Sequence, residues 1–108
     1  MNIYRINRKR LLTALSLPAI ILLMNRKQEK MLEAIFTKPT LANINFSDIE
    51  NLLTGLGAEL TEGRGSRISF ELNGESIFLH RPHPGKEAKK YQVEAIREFL
   101  ERTGFTNE

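Results

Sequence analysis

Apolar residues recur along this chain at two spacings, three to four residues in some segments and two residues in others. The segment Arg26–Phe36 shows the helical spacing, with its apolar side chains at Met31, Leu32, Ile35 and Phe36. Pro39 follows closely, and the residue before a proline avoids helical backbone angles. We therefore expect a short amphipathic helix that ends before Lys38-Pro39-Thr40.

A second helix is indicated between Ser47 and Leu56. Ser47 and Glu50 have the spacing of a capping box, in which the serine hydroxyl accepts from the backbone at Glu50 and the Glu50 side chain reaches back. One face of the segment is apolar, at Ile49, Leu52, Leu53 and Leu56. Gly57 comes directly afterwards, and glycine commonly ends a helix.

Three runs of alternating apolar and polar residues predict β-strands at Ala58–Glu62, Ser66–Leu72 and Glu75–Arg81. The dipeptide Asn73-Gly74 separates the last two runs and is a strong signal for a two-residue hairpin turn, which fixes the register. The expected buried pairs are Phe70 with Ile77 and Ile68 with Leu79. The other facing pairs are Leu72 with Glu75 and, on the open face, Ser69 with Phe78 and Arg67 with His80.

The segment Arg81–Lys90 contains two prolines and a glycine, so it is expected to be a loop. Lys89–Thr103 has the spacing of a last helix, whose inward residues are Val93, Ile96, Leu100 and Thr103. Gly104 followed by Phe105 is typical of a glycine stop with its hydrophobic partner. The order of elements predicts an α+β fold: a three-stranded antiparallel sheet with helices on one face, and Arg26–Phe36 as an additional helix in front.

The first 24 residues differ from the rest of the chain. Residues 1–10 are basic, and residues 11–24 are almost wholly apolar. A secretory signal has this polarity, although no small-x-small cleavage site precedes residues 25–27. A membrane anchor is a second interpretation, although the apolar run has only 14 residues and contains Pro18. Alternatively Met24 is the natural start, or the segment is an extra helix packed on the domain.

The chain is accordingly divided into a basic, apolar leader at residues 1–24 and one domain at residues 25–108. The net charge of +3 belongs to the leader, because residues 1–25 carry four basic residues and no acidic one. The remainder has 12 basic and 13 acidic residues, a net charge of −1. A case for nucleic-acid binding therefore rests on where the basic residues of the domain lie.

The composition, 41% hydrophobic and 27% charged, is that of a soluble globular protein. The sequence contains no cysteine, which excludes disulfides and cysteine metal clusters and fits the reducing cytoplasm. Its only imidazoles are His80 and His83, too few for a histidine-rich zinc site. We expect neither a metal nor a cofactor.

Three stretches of the domain together resemble one known family. They are Ser47–Leu56 running into Gly57-Ala58-Glu59, the turn Gly63-Arg64-Gly65-Ser66-Arg67, and the loop Arg81-Pro82-His83-Pro84-Gly85-Lys86-Glu87. In these stretches the chain resembles the HicA family of small toxins, from about Gln28 to Phe105. The Pro-His-Pro-x-Lys-Glu part of the loop is the most specific piece.

This resemblance implies a fold like that of double-stranded-RNA-binding domains. It also implies a cytoplasmic, ribosome-independent protein that cleaves mRNA and is held silent by a HicB-like antitoxin encoded beside it. No membrane contact is expected unless the leader is genuine. In the family the residue after Gly-Ser is commonly a catalytic histidine, whereas here that position is Arg67. The resemblance therefore implies the fold and RNA contact, whereas the family's catalytic histidine has no counterpart at this position.

RNA cleavage without a metal needs a base for the 2′-hydroxyl proton, an acid for the leaving oxygen and cations for the phosphate. Arg67 stays protonated, so it can hold a phosphate but cannot act as the base. His80 faces Arg67 in the expected register, and histidine can serve as base or acid. His83, between two prolines, is the second candidate. The alternatives are that His80 is an ordinary exposed strand residue, and that the His83 ring caps the following helix or packs on it.

Further residues of the turn, the open face and the loop are candidate RNA contacts: Arg64, Ser66, Arg67, Phe78, Arg81, Lys86, Lys89 and Lys90. In a fold like that of double-stranded-RNA-binding domains these elements meet at one edge, and cations at a helix N-terminus suit phosphate. Phe78 can stack on a base, or it can contact an antitoxin or the leader. The competing interpretation is a solvated surface of mixed charge, because Glu71, Glu75 and Glu87 lie among these residues.

Two functions follow from these patterns. One is the toxin of a toxin–antitoxin system, a metal-independent endoribonuclease with an altered active centre. The other is a non-catalytic RNA-binding or protein-interaction module on the same scaffold.

Overall fold

The computed structural model describes residues 24–105. The hypotheses about the leader concern residues 1–23, which lie outside this range, so the boundary between leader and domain stays a prediction. The helices are α1 (Arg26–Phe36), α2 (Phe46–Gly55) and α3 (Lys90–Arg102), and the strands are β1 (Glu59–Glu62), β2 (Arg67–Leu72) and β3 (Glu75–His80).

The three strands form one antiparallel sheet in the order β1-β2-β3. At the turn between β2 and β3, Asn73 and Gly74 both have positive φ, 52° and 81°, as this turn requires of its two central residues. The register of β2 and β3 is the expected one, with Arg67 opposite His80 and Phe78 opposite Ser69. The predicted hairpin is therefore confirmed. Each observed strand is one terminal residue shorter than the predicted one.

The helices pack on one face of the sheet. The inward side chains of the hairpin are buried, at Ile68, Phe70, Leu72, Ile77 and Leu79. Helix α3 packs on β3, and α1 packs on both α2 and α3. The opposite face of the sheet exposes Arg67, Phe78 and His80. The expected α+β layer arrangement is confirmed.

Helix α2 does not begin with the predicted capping box. It begins at Phe46, and the Asn45 side chain caps it by accepting from the Ser47 backbone N–H at 3.1 Å. The backbone N–H of Phe46 donates to the Lys86 carbonyl at 2.9 Å, so the earlier start leaves this donor satisfied. The proposed Ser47–Glu50 box was wrong, and the Glu50 carboxylate instead accepts from Arg81.

Helix α3 starts and ends one residue inside the predicted Lys89–Thr103 range. Gly104 has a φ of 110°, and the next residue, Phe105, is fully buried and donates from its backbone to the Leu100 carbonyl at 2.8 Å. This pattern is the expected glycine stop with a hydrophobic partner.

Arg97 of α3 ties the helical layer together from inside. Its side chain is buried, and it donates from Nε to the Ile35 carbonyl at 2.9 Å. Its Nη2 donates to the Thr37 carbonyl and to Thr40 Oγ1. A cation suits the end of α1 because the last carbonyls of a helix carry partial negative charge. Within residues 24–105 no helix is long and apolar enough to cross a membrane.

We expect residues 24–108 to fold cooperatively after residues 1–23 are removed. The described residues already form a continuous apolar core that takes side chains from all three helices and from the sheet, with Met24 at its edge. The measurement is thermal unfolding of the full chain and of the shortened chain. A cooperative transition that is present in the full chain and lost on shortening would contradict this expectation.

Candidate functional site

One groove gathers five of the ten predicted site residues. It lies where β3 ends and α3 begins, and its lining residues are Ser66, His80, Arg81, Pro82, His83, Lys89, Tyr91 and Gln92. We call it the His80 groove. Both histidines of the chain line it, and both are exposed. The loop thus brings His83 to the same groove as His80.

The ring of His80 has a side-chain partner. Ser66 Oγ lies 3.2 Å from His80 Nδ1, which is hydrogen-bonding distance. A serine hydroxyl can accept from a protonated Nδ1. In that tautomer the other ring nitrogen, Nε2, presents its lone pair, and the same contact persists when Nε2 takes a proton. Ser66 can therefore orient His80 in a form suited to a general base.

Backbone contacts fix His80 and Ser66 beside each other. The Arg81 N–H donates to the Ser66 carbonyl at 2.8 Å, which continues the pairing of β2 and β3 by one step. Gln92, only 2% exposed, donates from Nε2 to the His80 carbonyl at 2.7 Å. Its Oε1 accepts from the Lys89 N–H at 3.0 Å. Gln92 therefore joins the end of β3 to the start of α3.

The loop that carries His83 is held to the segment before α2. The Ala88 N–H donates to the Ile44 carbonyl at 2.8 Å, and the Phe46 N–H donates to the Lys86 carbonyl. Asn45 and Glu87 form an isolated antiparallel bridge between these contacts. The second half of the loop is thereby anchored, and its backbone reaches α3 along a defined path.

Arg81, a predicted RNA contact, is engaged by two carboxylates. Its Nε and Nη2 donate to Glu50 at 2.9 and 3.1 Å, and its Nη1 donates to Glu62 at 3.0 Å. Hydrogen bonding to Glu50, and then to Glu62, raises the pKa of Arg81, while desolvation lowers it by less.

The raised pKa has no consequence at physiological pH. A cation whose pKa is raised on folding adds stability that is present below its unfolded pKa and lost only above it. Arginine ionises well above the physiological range, so Arg81 stays charged throughout. This cluster of one cation and two carboxylates carries a net charge of −1, so Arg81 adds no uncompensated positive charge to the groove.

A second groove shares His80 with the first. Its lining residues are Arg67, Ile68, Phe78, Leu79 and His80. We call it the Phe78 groove. The Phe78 ring is 79% exposed, and Arg67 is also exposed with its backbone in the β2 ladder. His80 lines both grooves, with Ser66 beside it in the first and Arg67, its partner across the strands, beside it in the second.

The remaining predicted cations are distributed around these grooves. Lys89 lines the His80 groove, and Lys90 is the next residue along the chain. Arg64 is exposed in the turn between β1 and β2. Lys86 lines a separate hollow beside the start of α2, with Asn45, Glu50 and Arg81. The structure thus groups Lys89 and Arg67 with His80, and it places Lys86 further along the loop.

Sequence reasoning missed three residues of this region. Gln92 could have been found, because a glutamine at the third position of a helix commonly accepts from the backbone before it. Glu50 was assigned to its own helix start, whereas its partner Arg81 is 31 residues away. Tyr91 is 63% exposed and lines the His80 groove, and no local pattern distinguished it from a solvated helix residue.

The two grooves are lined by imidazoles, a hydroxyl, cations and aromatic rings, with no carboxylate among their lining residues. In the part of the chain that the structure describes, no three His, Asp or Glu side chains are grouped so that they could hold a metal ion. This arrangement can bind a phosphate and can transfer protons at His80 and His83.

The chain matches a known protein family. A family model described as "HicA toxin of bacterial toxin-antitoxin" matches residues 46–105, which include α2, the whole sheet, the loop and α3. No curated protein and no solved structure was found to match the chain.

Double-mutant cycles should show that Arg81 stabilises the fold mainly through its ion pair with Glu50. We expect a coupling free energy of about 1–2 kcal/mol for Arg81→Met with Glu50→Gln, because the pair is bidentate and Glu50 is 17% exposed. The matched cycle with Glu62→Gln should give less than about 1 kcal/mol, because Glu62 is 65% exposed. Chemical denaturation measures both. Equal coupling free energies in the two cycles would contradict this structural role of Arg81. An Arg81→Met protein that keeps its stability but no longer binds RNA would contradict it as well.

Proposed function

This chain belongs to the HicA toxin family, and on that premise we propose that it cleaves mRNA and is neutralised by a HicB-like antitoxin. Family membership makes it a toxin of the toxin–antitoxin type. The observation that carries the proposed chemistry is the contact of Ser66 Oγ with His80 Nδ1, beside Arg67. Because the substrate is mRNA, we propose that the protein acts in the cytoplasm.

In the proposed reaction His80 acts as the general base. Its Nε2 takes the proton of an RNA 2′-hydroxyl, and the 2′-oxygen attacks the adjacent phosphorus. The bond from phosphorus to the 5′-oxygen then breaks, leaving a 2′,3′-cyclic phosphate on one fragment. The leaving 5′-oxygen takes a proton and becomes a hydroxyl. Ser66 supports this role, because its hydroxyl can keep the His80 ring oriented before and after proton uptake.

We assign the remaining two jobs to Arg67 and His83. Arg67 holds the phosphate, since a guanidinium can donate two parallel hydrogen bonds to phosphate oxygens. His83 lines the same groove as His80 and, in its protonated form, donates to the leaving oxygen. The base and the acid are both assigned to histidines, because an arginine side chain can hold the phosphate but cannot act as a base.

We further propose that the RNA backbone follows the exposed cations Arg64, Arg67, Lys89 and Lys90. Lys89 and Lys90 precede and begin α3, where backbone N–H groups also favour an anion. Lys86 is a more distant contact on this path, and Arg81 serves to hold the loop through Glu50.

The second candidate is a module that binds RNA or a protein without cleaving it. Arg67 favours this alternative, because it stands where the related toxins commonly have their catalytic histidine. The same chain, tested for cleavage and for binding separately, distinguishes the two functions.

We expect His80→Ala to lower the rate of RNA cleavage about a hundredfold to ten-thousandfold, the usual cost of losing a general base or acid. His83→Ala should cost less, because its ring is not held by the strand register. Arg67→His should keep or raise the rate, since it restores an imidazole next to Ser66. Ser76→Ala, a change at an exposed position of β3 outside both grooves, is the control and should have no effect.

Cleavage of a labelled RNA by the purified full chain measures these rates, and thermal unfolding checks that each variant folds. The proposal for His80 fails if His80→Ala cleaves at the original rate. If the unmodified chain binds RNA but cleaves none, the non-catalytic module is the better account.

Replacing Lys89 and Lys90 together with alanine should weaken RNA binding and lower its dependence on salt. Each phosphate contact that is lost should reduce the slope of log affinity against log salt by about 0.7 for a single strand. The probe is a 2′-O-methyl RNA oligomer, which lacks the attacking hydroxyl. The control replaces Lys27 and Lys30, two exposed lysines of α1, and removes the same charge elsewhere. Equal effects of the two double changes would mean that only total charge matters.

A further inference from the structure

Two large aromatic rings are exposed in the part of the chain that the structure describes, and both border His80. Phe78 is 79% exposed and Tyr91 is 63% exposed. Phe78 lies in one of the two grooves that share His80, and Tyr91 lies in the other. Each ring therefore lies close to the position proposed for the scissile phosphate.

Polar residues flank Phe78 on the open face of the sheet. Its partner across the strands is Ser69, and the next outward positions along β3 are Ser76 and His80. A protein interface usually buries its aromatic residues within a continuous apolar core. Here a single ring stands on the open face beside two serine hydroxyls and an imidazole, and its groove is also lined by Arg67, Ile68 and Leu79. This setting suits a base stacked on the ring with its phosphate held nearby by the cation.

Phe78 and His80 are two residues apart on the same face of β3. This spacing corresponds to about 6.6 Å along the strand. A base stacked on Phe78 would therefore belong to a nucleotide next to the phosphate at His80.

Tyr91 lines the other groove with His80, as Phe78 lines the Phe78 groove. It is the second residue of α3, and it directly follows Lys89 and Lys90 along the chain. Its ring lines the groove together with Ser66, His80 and His83. Cations beside an exposed ring are the combination that binds single-stranded nucleic acid, because the cations attract the backbone and the ring stacks on the base.

We propose that Phe78 and Tyr91 are base-stacking platforms for the nucleotides on either side of the scissile phosphate, and that the substrate is single-stranded RNA with these bases unstacked. In a duplex the bases are paired and stacked inside the helix, so neither ring reaches one unless the pairs open. This inference rests on the proposed function and adds the substrate class and two residues that recognise it.

The test compares Phe78→Leu and Tyr91→Leu with Tyr91→Phe in the full chain. Leucine keeps an apolar side chain and removes the ring, whereas Tyr91→Phe keeps the ring and removes only the hydroxyl. The probe is a 2′-O-methyl RNA oligomer, alone or annealed to its complement, so that binding is measured without cleavage.

Each leucine variant should bind the single strand about 5- to 150-fold more weakly, the range expected for the loss of one stacked base. Tyr91→Phe should bind like the unmodified chain. The duplex should bind more weakly than the single strand, and its affinity should be the same for all variants. Thermal unfolding should be unchanged, since both rings are exposed.

Unchanged single-strand affinity in both leucine variants would overturn the inference and would assign the two rings to a protein contact. Equal affinity for duplex and single strand would also overturn it. A chain that stacks bases but cleaves no RNA would support the platforms while refuting the proposed catalysis. A chain that cleaves RNA at equal rates with and without the two rings would support the proposed catalysis while refuting the platforms.

Discussion

The turn at Asn73-Gly74 determines which side chains of β2 and β3 face each other. A two-residue turn allows one register, and a slip by one residue would move every side chain of the strand to the other face. In the observed register Phe70 and Ile77 are buried together, and Arg67 lies opposite His80 on the open face. Burial of the apolar pairs and placement of the candidate catalytic residues therefore depend on the same constraint.

Contacts from distant parts of the chain complete the site that the hairpin begins. Gln92 binds the His80 carbonyl from α3, and Arg81 reaches Glu50 of α2 while its backbone holds Ser66. The buried or half-buried polar groups are thus used for positioning, whereas the exposed imidazoles, cations and rings are left accessible. This division favours a surface site that binds an extended polymer over a closed pocket for a small molecule.

The hairpin, the apolar face of α2 and the glycine stop after α3 were predictable, because each depends on residues within a few positions of one another. The start of α2 was not, because the Phe46 N–H is satisfied by the Lys86 carbonyl, which lies 40 residues later in the chain.

The candidate site divides in the same way. The pairing of Arg67 with His80 followed from the turn alone. The ion cluster of Arg81 and the approach of Tyr91 to His80 come from tertiary contacts that bring α2 and α3 to the end of β3. No sequence spacing encodes these contacts. The predicted role of Arg81 as an RNA contact therefore competes with its ion pairs to Glu50 and Glu62, which only the fold reveals.

We propose that this chain cleaves RNA with its own imidazoles and cations. The most direct measurement is analysis of the RNA ends produced by the purified full chain in the presence of a metal chelator. The account predicts fragments that end in a 2′,3′-cyclic phosphate and begin with a 5′-hydroxyl, formed at the same rate with and without the chelator. Fragments that begin with a 5′-phosphate, or cleavage that stops when the chelator is added, would contradict it.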